Sequence, residues 1–297
     1  GEGFKVPPDI LETLKEDSLN ENILRPFIGG SEVNSDPYLK EQSWVVNCSD
    51  WPIEKAMKFN EAFELILKKV KPERQRVNDN GEYILRNPLP QKWWQYGEKR
   101  PALLHAIGKG ENFDNHPSGW EEIKKLEKFL VISTGVTKFP AFTFLPSNML
   151  CSNKLCVLAS DSYTMFGILS SDVHAIWAWH NKTSMGADMS SMVYAHGNIF
   201  ETFPFPKEID LLEEFDDISN LGKELFIARN SYMIENQLGL TKFYNKFHDP
   251  EVFDEEMIKI REIQQELKSA VISSYGLDNT DMNFGHHTVS YLSLIHI

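Results

Sequence analysis

The segment from residue 181 to residue 191 holds the side chains best suited to chemistry with another macromolecule. Its polar candidates are Asn181, Lys182, Thr183, Ser184 and Asp188. A lysine pairs with the acceptors of guanine, an asparagine pairs with adenine, and a carboxylate accepts from the cytosine amine. The hydroxyl groups can pair with several bases. The segment therefore has the right groups for reading base edges, but its composition is equally typical of a polar surface loop.

A second candidate is the short run Val136-Thr137-Lys138, which precedes a predicted strand. A threonine hydroxyl beside a lysine can bind a DNA phosphate. The residues that follow, Phe139 and Pro140, leave Lys138 as the one cation of this run. The alternative is a solvated lysine at a strand edge.

The chain offers no convincing catalytic or cofactor site. Asn87-Pro88-Leu89-Pro90 lacks the second proline and the aromatic residue of an adenine methyltransferase loop, so we interpret it as a turn. Gly108-Lys109-Gly110 is too short for a nucleotide-binding fingerprint. The nine histidines have no metal-ligand spacing. We assign no catalytic, cofactor-binding or metal-binding residue.

Composition predicts a globular cytoplasmic protein. The chain has 297 residues, of which 41% are hydrophobic, enough for one or two domains with a core. Its apolar runs are too short to span a bilayer. The three cysteines, Cys48, Cys151 and Cys156, form no even framework, and we expect free thiols in a reducing compartment.

The net charge of −13 argues against a nucleic-acid binder, but the charge is unevenly distributed. Residues 71–138 carry 12 Lys and Arg against 9 Asp and Glu, a balance of +3. Residues 207–297 carry 8 against 17, a balance of −9. The acidity therefore lies mainly in the C-terminal part of the chain, and we expect that part to face away from DNA or towards a basic neighbour.

Periodicity predicts an α+β fold. Apolar residues at helical spacing indicate a helix from about residue 52 to 70, and Pro101 and Gly108 bound another. Four β-branched and aromatic runs indicate a small, mainly antiparallel sheet. They are Phe129–Ser133, Ala141–Leu145, Leu155–Ser160 and Tyr163–Leu169. Ser170 and Ser171 begin a helix, and two longer helices follow residue 206.

Four motifs in order resemble the DNA-reading half of a bacterial fused restriction-modification protein of the MmeI-like, adenine-modifying class. They are Lys71-Pro72-Glu73-Arg74, Trp93-Trp94-Gln95-Tyr96, Val136-Thr137-Lys138 and Phe200-Glu201-Thr202-Phe203-Pro204-Phe205-Pro206. The resemblance covers roughly residues 4–278. Adjacent tryptophans could stack on bases, but core packing is the better interpretation. For residues 200–206 we expect an apolar strand end that packs and contacts no base.

The resemblance implies target recognition on double-stranded DNA for an adenine-specific methyltransferase, with or without a fused endonuclease. S-adenosylmethionine would bind an absent upstream methyltransferase domain, which would also be the partner of this chain. Residues 1–70 would be a helical lead-in, 71–206 the recognition domain and 207–278 a helical C-terminal region. Both ends look cut, and residues 279–297 look like a non-native tail.

Two alternatives remain open at this level. The chain could be a DNA specificity subunit that works without a fused enzyme. It could also be a protein-interaction module with no nucleic-acid role, which its acidity and its aromatic content would suit.

Overall fold

The computed structural model describes residues 2–40, 43–183, 191–206 and 216–277. These residues form two compact units. Within the described ranges, the first unit comprises residues 2–28, 43–127 and 146–150, and the second comprises 29–40, 128–145 and 151–277. This division does not test the predicted boundaries at residues 70 and 206. That prediction concerned functional parts of the chain and stays a prediction.

Helices and short strands alternate along the chain. The α-helices are α1 (Pro8–Glu16), α2 (Gly30–Ser35), α3 (Ile53–Ala56), α4 (Asn60–Lys69), α5 (Lys71–Arg74), α6 (Pro101–Ala106), α7 (Tyr163–Ser170), α8 (Asp172–His180), α9 (His196–Ile199), α10 (Asp216–Glu235), α11 (Leu240–Phe247) and α12 (Glu255–Ser273). The strands are β1 (Lys5–Val6), β2 (Leu24–Ile28), β3 (Ser43–Val46), β4 (Lys128–Ser133), β5 (Val136–Thr137), β6 (Phe142–Pro146), β7 (Leu150–Cys151), β8 (Leu155–Leu158) and β9 (Met192–Val193). Short 3-10 helices lie at Glu2–Phe4, Ser18–Asn22 and Trp120–Glu122.

The first unit packs helix α4 against a small antiparallel sheet. β3 pairs with β1 on one side and with β2 on the other. Leu24 and Val46 of the sheet share one buried cluster with Phe63 and Ile66 of α4. Burial of these apolar side chains is the main stabilising contribution in this unit.

The predicted helix over residues 52–70 is divided in the structure into α3 and α4. Phe59 leaves the helical conformation, with φ −94° and ψ 61°. Its ring is buried and stacks on Trp51 at 5.2 Å between ring centroids. The packing of one aromatic ring therefore interrupts a segment whose apolar spacing is continuous. The predicted end is correct, because α4 ends at Lys69 and the separate short helix α5 begins at Lys71, with Pro72 in its first turn.

The second unit is built on the sheet β6-β4-β8. β4 and β8 run antiparallel, with Leu130 opposite Leu158 and Val131 opposite Val157. The predicted antiparallel pairing is confirmed for these strands, and the combination of this sheet with helices confirms the α+β class. Among the described residues, no helix has the length and apolarity needed to cross a membrane.

The predicted strand at Tyr163–Leu169 is wrong, because these residues form helix α7. Ser162 caps the helix by accepting a hydrogen bond from the Met165 amide at 3.2 Å. Most of the helix surface is buried, so its apolar residues show no clear one-sided pattern. A short, wholly apolar run is compatible with a buried strand or a buried helix, so the sequence pattern does not separate the two.

Helices α7 and α10 cross at a pair of glycines. A Cβ atom placed on Gly222 would lie 2.5 Å from the Tyr163 carbonyl oxygen and 3.2 Å from the Gly167 Cα atom. Only the absence of a side chain at residue 222 allows this separation between the two backbones.

We predict that Gly222→Ala destabilises the chain. An added methyl in a helix interior is ordinarily stabilising, but here it overpacks the crossing at a cost of about 1–3 kcal/mol. Chemical denaturation measures the change in the free energy of unfolding. Gly197→Ala is the matched control, because the nearest atom to a Cβ at that helical glycine is 4.0 Å away. Equal stability of the two variants would contradict the close crossing.

Candidate nucleic-acid interface

The structure brings the two candidate segments together in one antiparallel ladder of the second unit. Strand β5 pairs with β9, with Val136 opposite Val193 and Thr137 opposite Met192. Thr183 forms a further antiparallel bridge with Val193, whose amide donates to the Thr183 carbonyl oxygen at 3.1 Å. Residues 136–137, 183 and 192–193 therefore lie side by side, although they are far apart in the sequence.

The side chain of Lys182 packs on its own segment. Its ammonium group lies 3.8 Å from the centre of the Trp179 ring, a cation–π contact. The same group donates a hydrogen bond to the Ser191 carbonyl oxygen at 3.2 Å. These contacts hold the positive charge between the end of α8 and Ser191.

Asn181 ends helix α8. Its side-chain amide donates to the Trp177 carbonyl oxygen at 3.0 Å, and its backbone amide donates to the same oxygen. Thr183 is exposed on the ladder. The remaining two predicted base readers, Ser184 and Asp188, lie outside the described residues.

Thr137 and Lys138 differ in whether their side chains are available for a phosphate contact. The Thr137 hydroxyl donates to the Phe139 carbonyl oxygen at 2.9 Å and accepts from the Phe139 amide at 3.2 Å. It is therefore used in a local turn. The Lys138 side chain is exposed beside that turn. Exposure and positive charge make Lys138 the better candidate for a phosphate contact.

A buried histidine–tyrosine pair supports both ends of the segment between α8 and β9. His174 of α8 is fully buried, and its Nε2 atom lies 3.1 Å from the hydroxyl oxygen of Tyr194. The Phe142 ring packs edge-on against both rings, at 5.5 Å between centroids in each case. Burial lowers the pKa of His174 to about 3, so the imidazole is neutral when the chain is folded near pH 7.

Sequence reasoning missed the roles of Trp179, His174 and Tyr194. The spacing of Trp179 and Lys182, three residues apart at a helix end, is a signal that could have revealed the cation–π contact. No comparable signal exists for His174 and Tyr194, because an apolar sequence context does not reveal which distant hydroxyl a buried imidazole will meet.

The other two resemblance motifs, at residues 71–74 and 93–96, form a structural contact in the first unit. Arg74 donates hydrogen bonds to the carbonyl oxygens of Trp93, at 3.2 Å, and Gln95. Trp94 and Gln95 both donate to the Trp51 carbonyl oxygen, at 2.9 and 2.7 Å. Both tryptophans of the motif are buried. The interpretation of this motif as core packing is confirmed.

The terminal motif packs, but it is not the strand end that we expected. Residues 201–206 form turns and irregular structure after helix α9. Phe203 is buried, with its ring edge-on to His174 at 5.0 Å and to Phe205 at 4.9 Å. The prolines at 204 and 206 prevent ladder hydrogen bonding at their positions, which explains the irregular backbone.

The described part of the chain contains no group of three or more His, Cys, Asp and Glu residues arranged to hold a metal ion.

The fold is similar to that of a protein of known structure. No protein-family profile matches the chain, and no curated protein sequence matches it. The chain is similar to the structure of the Type IIL restriction-modification enzyme MmeI in complex with DNA, with a TM-score of 0.58 and 18% sequence identity. The match covers 94% of this chain and 32% of the MmeI chain, so this chain spans about a third of that enzyme. This likeness shows a fold related to that restriction-modification enzyme.

We predict that His174 makes folding stability depend on pH. The unfolded histidine binds a proton below a pKa of about 6.5, whereas the folded one stays neutral down to about pH 3. Stability is therefore lost as pH falls below about 6.5, by up to about 1.4 kcal/mol per pH unit. Free energies of unfolding measured from pH 7 to pH 4.5 should fall less steeply in His174→Phe.

His180 is the matched control, because it lies on the same helix and is exposed. His180→Gln should retain the steep pH dependence of the unchanged chain. Parallel pH profiles for His174→Phe and the unchanged chain would contradict a neutral, buried His174.

Proposed function

We propose that this chain is the DNA target-recognition part of a site-specific adenine N6 methyltransferase of the restriction-modification type. The observation that carries the proposal is the β5–β9 ladder. It joins Thr137, which precedes Lys138, and Thr183, which follows Lys182, to the same strand β9, so the segments proposed for phosphate and base contacts adjoin in the second unit. The fold shared with MmeI, whose structure is a complex with DNA, supports the same proposal.

In this proposal Lys138 binds the DNA backbone and the segment 181–191 reads base edges in the major groove. Lys182 would leave the Trp179 ring to reach a guanine, exchanging a cation–π contact of about 0.5–2 kcal/mol for a bidentate pair of about 1–3 kcal/mol. On noncognate DNA the cation–π contact would be lost with no bidentate pair to offset it, whereas at the right base the pair offsets the loss. Such a balance favours discrimination over affinity.

In this proposal the methyl transfer is carried out by another domain of a longer polypeptide. That catalytic domain would hold S-adenosylmethionine and take the target adenine out of the stack, because the base cannot be reached inside the duplex. The chain described above would supply position and sequence selection.

For the Lys138→Ala variant we expect a lower affinity for DNA and an unchanged sequence preference. Removing one phosphate contact should lower the slope of log K against log salt by about 0.9 and weaken binding by roughly five- to ten-fold near 0.1 M salt. Fluorescence anisotropy of the 297-residue chain with Lys138→Ala on duplex DNA measures both quantities. Lys223→Ala, an exposed lysine of α10, should leave both unchanged.

Absent or salt-insensitive DNA binding by the unchanged chain would overturn the proposal and favour a protein-interaction module.

For the segment 181–191 the expected effect is on specificity. Lys182→Ala combined with Asp188→Ala in the longer, methylating protein should change which sequences are methylated, because paired base contacts are lost. Sequencing of modified adenines in genomic DNA reads this out. Lys182→Met is an informative companion, since it keeps a long side chain over Trp179 and removes only the charge. Unchanged specificity and unchanged rate in the double variant would show that the segment does not read bases.

A further inference from the structure

Helix α11 differs in charge from its surroundings. The region from residue 207 onward has a net charge of −9. Helix α12 contains four glutamates against three basic residues, and α10 also contains both acidic and basic residues. Leu240–Phe247, in contrast, contains two lysines and no carboxylate. A basic helix in an acidic region is a local feature that the net charge conceals.

Aromatic stacking fixes the phosphate candidate Lys138 next to this helix. The ring of Phe139, the next residue, stacks on His248 at 4.3 Å with an interplanar angle of 11°. It also stacks on Tyr244 at 5.9 Å. Residue 138 is therefore held beside the side of α11 that carries Tyr244 and leads to His248.

A buried arginine contacts both helix α11 and the segment that follows Phe139. Arg229 of α10 is fully buried, and its guanidinium donates to the Phe142 carbonyl oxygen at 2.8 Å and to the Tyr244 hydroxyl at 3.2 Å. The chain following Phe139 and helix α11 are thus attached to one cation. The position of Lys138 relative to α11 is determined by the core.

The exposed side of α11 next to this contact consists of hydrogen-bond donors. Thr241 and Asn245 are exposed and lie one turn apart, and Tyr244 and His248 adjoin them at helical spacing. Lys242 is also exposed, and it lies next to Asn245, about 60° around the helix on the side away from Tyr244. Ammonium, amide and hydroxyl groups are the side chains that bind DNA phosphates.

We infer that Lys242 and Asn245 of helix α11 form, with Lys138, one binding surface for the DNA backbone. This inference rests on the proposed function and deepens it, since it assigns a phosphate contact to the otherwise acidic C-terminal region. Because phosphates are the same at every base pair, this surface contributes affinity and register and no sequence preference.

The test uses the 297-residue chain and duplex DNA of two unrelated sequences. Lys242→Ala should weaken binding to both by a similar factor, roughly five- to ten-fold near 0.1 M salt, and lower the salt slope by about 0.9. Asn245→Asp, which keeps the size and adds a negative charge, should weaken both as well. Lys259→Ala, an exposed lysine on the acidic helix α12, is the matched control and should bind like the unchanged chain.

Each outcome is decisive. Wild-type-like binding by both Lys242→Ala and Asn245→Asp overturns the inference while leaving the proposed function in place. A loss confined to one DNA sequence also overturns it, because it would indicate a base contact. Failure of the unchanged chain to bind either DNA overturns the proposed function itself. All three altered positions are exposed, and equal melting temperatures would establish that the variants are folded.

Discussion

The buried cation of Arg229 is the constraint on which the arrangement of the second unit depends. A guanidinium removed from water costs several kcal/mol unless hydrogen bonds and favourable contacts offset the loss. Here its Nη1 atom donates to the Phe142 carbonyl oxygen and the Tyr244 hydroxyl, and the guanidinium lies 5.2 Å from the centre of the Phe166 ring, while Nε and Nη2 are buried with no hydrogen-bond partner among the described residues. Strand β6, helix α11 and helix α7 are therefore fixed around one charge. Displacing any of them would leave the cation with fewer partners.

The candidate interface is a consequence of this core. Phe142 also packs edge-on against His174 and Tyr194, which secure α8 and the chain following β9. The segment between these two elements is thus attached at both ends to rigid parts of the unit. Such a scaffold suits a reading segment, because its side chains can differ between proteins without affecting the packing that positions them.

The distribution of charge explains how an acidic chain can be proposed to bind DNA. Electrostatic attraction acts over about 8–10 Å at physiological salt, so the charges near the contact matter more than the total. Lys138 and the carboxylate-free helix α11 are held together by the Phe139 stack, whereas the glutamates of α12 belong to another helix. If the chain binds DNA as proposed, the acidic residues would limit non-specific association by repelling DNA elsewhere.

The sequence by itself determined the α+β class, the antiparallel character of the small sheet, the cap of α8 at Ser171 and the burial of the tryptophan motif. These features follow from local signals such as caps, periodicity and aromatic clustering. Tertiary structure decided that Tyr163–Ser170 is a helix, that β5 pairs with β9 and that Lys182 packs on Trp179. The physical reason is that each of these features depends on which distant part of the chain covers the segment. A short apolar run, a two-residue strand or a single lysine has several local conformations of nearly equal free energy. Only long-range packing selects one of them.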